Sequence, residues 1–388
     1  MNYKQIVLIF NTPALNTDIQ TYSLDELFDL GFKVCVIDAS PVLNPLVNQI
    51  VTAKRLNDPR FDIYSCKTKK ELELLIKDNA KTSCFIPMFI VSYDSKFVYK
   101  LFTKYNVFYG RITPARTEIC ITFQGIRYKK KFKESKLNPK HLYKAFFNRT
   151  VGKLIKCQRP NFIVLGGKYK ENLMLKNNLC GNNTKLLKLH TWDYERFLRF
   201  EPYKNPNPYC VFLDEYFPFH PDGISSGIMP TKEMIDKYVF DMNQVFEHIR
   251  TNYHLDVVMA AHPRADYSDK KELYPNMKIE YGKTAQLVKG ASLVVANCSN
   301  SMFFAVMADI PIIIVNSSAI KDNDDYEEQS LLYFAELTGA TLVEKASELP
   351  LNNTLKINEE KYKYLKSEYI QRDNENGKTM WQNIMEAL

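Results

Sequence analysis

The sequence predicts an α/β fold made of two doubly wound domains facing a central cleft. Three observations predict it. Short apolar runs rich in β-branched and aromatic residues alternate with amphipathic stretches along the 388 residues. The apolar runs lack polar alternation, which suits strands covered on both faces of a parallel sheet. Near the middle, RFEPYKNPNPYC places Pro202, Pro206 and Pro208 among asparagines, and such a segment disfavours both helix and central strand. The expected domains are therefore 1–200 and 201–388, with the final helices free to cross back to the first.

In the first half, IVLIF (6–10) and KVCVID (33–38) are expected strands, joined through the helical SLDELFDLG with its terminal glycine stop. TKKELELLIKDNA (68–80) reads as an amphipathic helix led by Thr68 as cap. SCFIPMFIVS (83–92) and NVFYGRIT (106–113) are expected strands, as are FIVLGG (162–167) and KLLKLH (185–190). Residues 117–140 break the rhythm, with Arg127, Lys129, Lys130, Lys131, Lys133 and Lys136 around Tyr128 and Phe132. HLYKAFFNRTVGKLIKC (141–157) has helical spacing and mixes basic with aromatic residues.

The second half repeats the alternation. YCVFLDE (209–215), LDVVMAAH (255–262), MKIEYG (277–282), SLVVANC (292–298) and IPIIIVN (310–316) are expected strands. Between them lie the long helix 231–253 capped by Thr231, the short TAQLVKGA (284–291) and the buried SMFFAVMAD (301–309). EEQSLLYFAELTG (327–339) and two further helices close the chain.

Hydrophobic residues make up 45% and charged residues 25%, a globular composition that excludes disorder as the theme. No apolar run reaches the ~18 residues of a bilayer-spanning helix. The first residues, MNYKQIVLIFNTPALN, lack a cleavage-site pattern, so the expected location is cytoplasmic. Eight cysteines stand singly without zinc spacing, which fits buried thiols in a reducing compartment. The net charge of +8 points to nucleic acid, an anionic membrane face or acidic small substrates. Nothing resembles a nucleic-acid motif, so nucleic acid ranks last and is not expected as a partner.

In open α/β sheets, ligands bind at the carboxyl ends of strands. Three clusters of the second half meet that condition. His262, Pro263 and Arg264 follow LDVVMAA, and an imidazole beside a guanidinium can face a phosphate. On residues alone, a strand-ending turn with a solvated arginine fits as well. Cys298, Ser299, Asn300 and Ser301 join a strand to a helix, the usual anion seat; plain N-capping worth about 1 kcal/mol is the other reading. Tyr281, Gly282, Lys283 and Thr284 follow the third strand. There Gly282 permits a tight turn, Thr284 is placed to cap the next helix, and Glu280 can accept two ribose hydroxyls. Neither G-x-G-x-x-G nor G-K-[ST] occurs, which disfavours dinucleotide and P-loop chemistry.

VVMAAHPRADY and EYGKTAQLVKGASLVVANCSNSMFFAVMADIPIIIV resemble the C-terminal domain of bacterial GT-B glycosyltransferases. In particular they resemble sialyltransferase and polysialyltransferase-like enzymes and related Kdo and nonulosonate transferases. FLDEYFPFHPD (212–222) fits the same group, and the resemblance spans roughly 209–318. It implies two Rossmann-like domains and no cofactor beyond a CMP-sugar donor. It also implies a His-Pro motif at His262 and Pro263, and a serine motif at Ser299 and Ser301, on the donor phosphate. The family's acidic motif followed by glycine is not evident in the first half.

Transfer with inversion needs a base for the acceptor hydroxyl. Asp214 and Glu215 are the first candidates, with His220, Asp222, Glu118 and Asp94 as alternatives. No D-x-D motif follows a first-domain strand, so no metal is expected. Arg111 and Arg116 can meet an acidic acceptor or solvate a loop. The basic stretch 127–136 reads as a solvated face, or as contact with anionic lipid at the inner face of the plasma membrane, at about 1 kcal/mol per basic residue. Phe146 and Phe147 could insert beside it.

The expected function is transfer of a nonulosonic acid from a CMP-sugar to a glycan or glycolipid acceptor of the bacterial surface. A UDP-sugar transferase or epimerase, and a non-catalytic subunit that binds sugar nucleotide or glycan, are the alternatives.

Overall fold

The first apolar run forms β1 (Gln5–Phe10), in which all but the first residue are buried. Ile6, Leu8 and Phe10 pack on one face with Leu24, Leu27 and Trp381, while Val7 and Ile9 pack on the other with Leu72, Ile76 and Phe102. Burial of both faces is why the run carries no polar alternation. The computed structural model describes residues 3–112, 157–168, 180–371 and 377–387.

β1 pairs in parallel with β2 (Lys33–Asp38) and β4 (Ser83–Pro87), and β2 pairs with β3 (Asp62–Ser65). A parallel bridge from Phe85 to Tyr109 extends the pairing to β5 (Gly110–Ile112), β6 (Phe162–Gly166) and β7 (Lys185–Leu189). Helix Lys69–Asn79 begins at Thr68, whose hydroxyl accepts from the Glu71 N–H while the Glu71 carboxylate accepts from the Lys67 N–H. This is a reciprocal cap that the T-K-K-E spacing allows. The last helix, Met380–Ala387, packs in this unit. Trp381 donates from Nε1 to the Tyr22 carbonyl at 2.7 Å, and its ring lies 5.4 Å from that of Trp192. This compact unit holds the described residues before Asp193 together with 377–387.

The second unit, Asp193–Gln371, holds six parallel strands. They are β8 (Tyr209–Leu213), β9 (Asp256–Ala261), β10 (Lys278–Tyr281), β11 (Leu293–Ala296), β12 (Ile312–Val315) and β13 (Thr341–Val343). Their order is β10-β9-β8-β11-β12-β13. The chain therefore winds outward from β8 first to one side and then to the other, with a topological switch point between β8 and β11. Helix Lys232–Asn252, capped by Thr231 through the Met234 N–H, buries Tyr238, Met242, Val245, Phe246 and Ile249.

Several expected boundaries shift. The strand expected over 83–92 ends at Pro87, and Ser92 and Ser95 then fold a hydrogen-bonded turn. Helix Lys96–Tyr105 follows and closes on Asn106 in a left-handed conformation, so the strand expected over 106–113 shrinks to β5. SLDELFDLG yields only the short helix Leu24–Asp29. The expected helix 141–157 and the basic stretch 127–136 lie outside the described residues, apart from Cys157. Cys35, Cys66, Cys84 and Cys210 are buried free thiols.

Gly290, at the end of helix Thr284–Gly290, is a point of close approach. A Cβ there would stand 2.5 Å from the Tyr203 carbonyl oxygen and 2.6 Å from the Tyr209 hydroxyl oxygen. Gly290→Ala is therefore expected to lower stability by about 1–3 kcal/mol in urea unfolding. A variant with an unchanged midpoint would show that the Tyr203 segment yields freely.

Candidate functional site

Because all six strands of the second unit run parallel, the residues that follow β8, β9, β10 and β11 emerge on one edge of the sheet. Asp214 and Glu215 follow β8, His262 follows β9, and the Asn297–Ser301 turn follows β11. The β8 ends therefore stand between those of the histidine strand and the serine strand.

Two histidine turns of the same design meet there. His262 Nδ1 accepts the backbone N–H of Arg264 at 3.2 Å. His220 Nδ1 accepts the backbone N–H of Asp222 at 3.1 Å, capping the short helix Pro221–Ser225. In each turn a proline occupies the middle position, where its lack of an N–H and its fixed φ shape the turn without losing a donor. The two rings touch edge to face, 4.7 Å apart and inclined at 72°. The third residues of the turns also join, since Arg264 Nη1 lies 3.0 Å from both carboxylate oxygens of Asp222. With Nδ1 accepting, the proton of each neutral ring belongs on Nε2; this tautomer is assigned from hydrogen-bond geometry. Burial depresses the His220 pKa, Asp222 opposes that and Arg264 adds to it. The His220 ring is therefore neutral at physiological pH.

Asp214 lies beneath the His262 turn and is 3% exposed. Its Oδ2 accepts the His262 N–H at 3.1 Å, and its Oδ1 accepts the Tyr216 N–H at 2.8 Å and the Tyr267 hydroxyl at 3.0 Å. Burial pushes its carboxyl up to about 6, although the three hydrogen bonds pull it down. Tyr216 is held at φ 55°, a left-handed value that costs a non-glycine residue energy and recurs at functional turns. Glu215 is half-buried and interacts electrostatically with Cys298 and Glu327. Burial, reinforced by Glu215 and Asp324, raises the Glu327 carboxyl far above the usual carboxylate range.

The serine turn is firmly built. Asn297 is fully buried; its Oδ1 accepts the Tyr238 hydroxyl at 2.6 Å and its Nδ2 donates to the Val315 carbonyl at 2.7 Å. Ser299 is buried and its hydroxyl accepts the Ser301 N–H at 3.3 Å, whereas Asn300 and Ser301 are half-exposed. Glu280 lies within edge strand β10 rather than at its end. It accepts from Tyr203 at 3.0 Å and from Lys283 at 2.9 Å, with Lys278 at 3.4 Å. Burial works against its ionisation, but the hydrogen bonds from Lys283 and Tyr203 hold its pKa below the ordinary value. Gly282 takes φ 70°, the left-handed turn expected of it. Thr284 is not the helix cap: Lys283 occupies that position and Thr284 is already helical, because the turn at Gly282 starts the helix one residue early. Pro263 is exposed.

Of the other candidates, Asp94 is exposed in the turn before helix Lys96–Tyr105, in the first unit. Arg111 is buried in β5, so it is no solvated loop residue. Glu118 and Arg116 lie outside the described residues. Asn297, Tyr267 and the pairing of the two histidine turns went unread in the sequence. The repeated H-P-D and H-P-R triplets are the signal that could have revealed the pairing.

No protein-family model matches the chain, and no curated protein matches it. Solved structures do. A histidine variant of the wall teichoic acid polymerase TagF superposes with a TM-score of 0.57 at 12% identity, covering 99% of this chain and 88% of that one. Another TagF structure gives 0.56 at 12% identity, with the same coverage. The Methanocaldococcus jannaschii UDP-GlcNAc 2-epimerase, bound to UDP-GlcNAc and UDP, gives 0.47 at 13% identity over 93% of this chain and 98% of that one. The likeness to TagF is one of fold, and that fold is GT-B, with two Rossmann-like domains.

Asp214 has a folded-state carboxyl near 6 against an ordinary value of 3.8, so the folded chain holds its proton where the unfolded chain has lost it. Its contribution to stability is therefore largest below 3.8 and is lost as the pH rises through 6, a change on the order of 3 kcal/mol. The stability of the wild type relative to Asp214→Asn should rise as the pH falls across that window, as read by urea unfolding at several pH values. A flat difference would place Asp214 in a more polar setting.

Proposed function

We propose that the chain is an inverting glycosyltransferase that takes a nonulosonic acid from a CMP-activated donor and passes it to a bacterial surface-glycan acceptor. The carrying observation is the pair of fused histidine turns at the strand-end edge, with Arg264 between them and the switch point beside them. The Nε2–H groups of His220 and His262 are neutral donors suited to a phosphate, and Arg264 supplies the cation. The half-exposed Asn300 and Ser301 on the next strand end add further donors.

In this reading the acceptor oxygen attacks the anomeric carbon while the bond from that carbon to the CMP phosphate breaks. CMP leaves with the bonding electrons, and its developing charge falls on preorganised donors. The acceptor proton passes to a carboxylate. Glu215 fits that role better than Asp214, since it is half-exposed where Asp214 is buried. The imidazoles fit it less well, because each already carries its proton on Nε2. Asp94 and Glu118 stand as alternatives. The reaction as written uses no metal.

A second reading draws on TagF, one structure of which contains CDPG and superposes here with a TM-score of 0.54 at 12% identity. In that reading the donor is also a cytidine nucleotide but carries a different group.

A thermal-shift comparison of CMP, CDP, UDP and GDP should show the largest stabilisation with CMP or CDP. Preference for UDP would favour a UDP-sugar transferase or epimerase. Binding of CMP without turnover of any CMP-sugar would favour a non-catalytic subunit. His262→Ala is expected to lower turnover at least 100-fold, or about 3 kcal/mol of transition-state stabilisation, while the melting transition stays cooperative. Near-normal turnover would remove His262 from the mechanism. EDTA should leave the rate unchanged, and activity restored only by added magnesium or manganese would argue for a metal.

A further inference from the structure

Asp214 is a buried carboxylate of the strand-end edge, and its three hydrogen bonds run to the loops after β8 and β9. It accepts from Tyr216 in its own loop, from the first residue of the His262 turn, and from Tyr267 in the loop that follows that turn. Tyr267 in turn donates its backbone N–H to the Tyr281 hydroxyl at 3.3 Å, and the Tyr216 hydroxyl donates to the Asp266 carbonyl at 3.0 Å. One carboxylate thus ties together the loops after β8 and β9, and reaches the end of β10 through Tyr267.

We infer that Asp214 is a positioning residue: in its ionised form it pins the backbone of His262, so that the ring keeps Nδ1 on the Arg264 N–H and its proton on Nε2. The inference rests on reading His262 as the centre of the site, but it does not require the donor to be known. The backbone bond fixes where the His262 Cα stands, and the ring can close on Arg264 only from that place. A neutral side chain at position 214 leaves the His262 N–H with a weaker acceptor, and the turn loses its anchor. His220 takes its own Nδ1 hydrogen bond from the Asp222 N–H and none from Asp214, so its tautomer serves as the reference.

The groups facing the carboxylate account for its behaviour. Tyr216 stands on its own loop, Tyr267 and Tyr274 on the segment after β9, Tyr238 on helix Lys232–Asn252 and Tyr281 at the end of β10, and each of these phenols is affected by its charge. Burial outweighs its hydrogen bonds, and the carboxyl is pushed up to about 6. The anchor is therefore complete above that pH and released below it, which ties the geometry of the site to mild acidification.

Nuclear magnetic resonance of the whole chain tests this without any substrate. With nitrogen-labelled histidine, His262 in mildly alkaline buffer should show one neutral pattern with the proton on Nε2, assigned by its loss in His262→Gln. Asp214→Asn should replace that pattern with an average of the two tautomers while His220 keeps its own. With carbon-labelled aspartate, the Asp214 carboxyl and the His262 amide proton should titrate together near 6 in the wild type. Tyr267→Phe removes one bond to the ionised form and should move both midpoints upward together by roughly half a pH unit or more. That variant decides the matter if Asp214→Asn does not fold. An intact His262 pattern in folded Asp214→Asn, or an amide proton that does not follow the carboxyl, overturns the proposal. Failure of every nucleotide to bind would instead overturn the transferase reading and leave this result standing.

Discussion

Parallel pairing of β8 with both β9 and β11 is the constraint from which the candidate site follows. Parallel strands that are neighbours must end on the same edge, so residues 48 apart, such as Asp214 and His262, become hydrogen-bonded neighbours. Winding outward from β8 in both directions leaves a place where successive crossovers lie on opposite faces. In open α/β sheets such a place is where ligands bind. The buried faces of the strands make this arrangement rigid, and the polar residues are displaced to the ends, where the apolar runs stop.

At that edge, charge is held in an unusual balance. Burial raises the Asp214 carboxyl despite its three hydrogen bonds, so its ionisation opposes folding. The cation that could have paired with it, Arg264, is instead joined to Asp222. That pair is part-exposed, with side-chain exposures of 21% for Arg264 and 57% for Asp222, and such pairs contribute only about 0–1 kcal/mol. Its value lies in holding the two histidine turns together. The carboxylate and the ion pair thus fix the geometry of the strand-end edge rather than add to stability.

Much of the architecture was legible because it depends on local periodicity. The unbroken apolar runs 6–10, 33–38 and 209–213 became central strands, since a residue buried on both faces leaves no alternation to hide. Thr68 and Thr231 were readable as caps, because capping needs only an oxygen three residues ahead of a free N–H. Less legible were elements whose limits are set by distant partners. Helix Lys96–Tyr105 lies between the expected strands 83–92 and 106–113, where no element was expected, and the second of these is cut to the three-residue β5 by a left-handed Asn106 and by pairing with β4 and β6. Thr284 looked like a cap until the turn at Gly282 advanced the helix start.

The sequence by itself determined the alternation of strands and helices, the parallel sheets it implies, and the strand-end placement of His262, Ser299 and Glu215. These follow from side-chain periodicity and from where apolar runs stop, which are properties of neighbouring residues. Only the tertiary structure decided that His220 and His262 touch, that Arg264 reaches Asp222, that Glu280 is occupied by Tyr203 and two lysines, and that Asp214 is an interior acceptor. Those outcomes depend on strand order and register. Many orders are compatible with one alternating pattern, and each would bring a different set of loop residues within hydrogen-bonding distance.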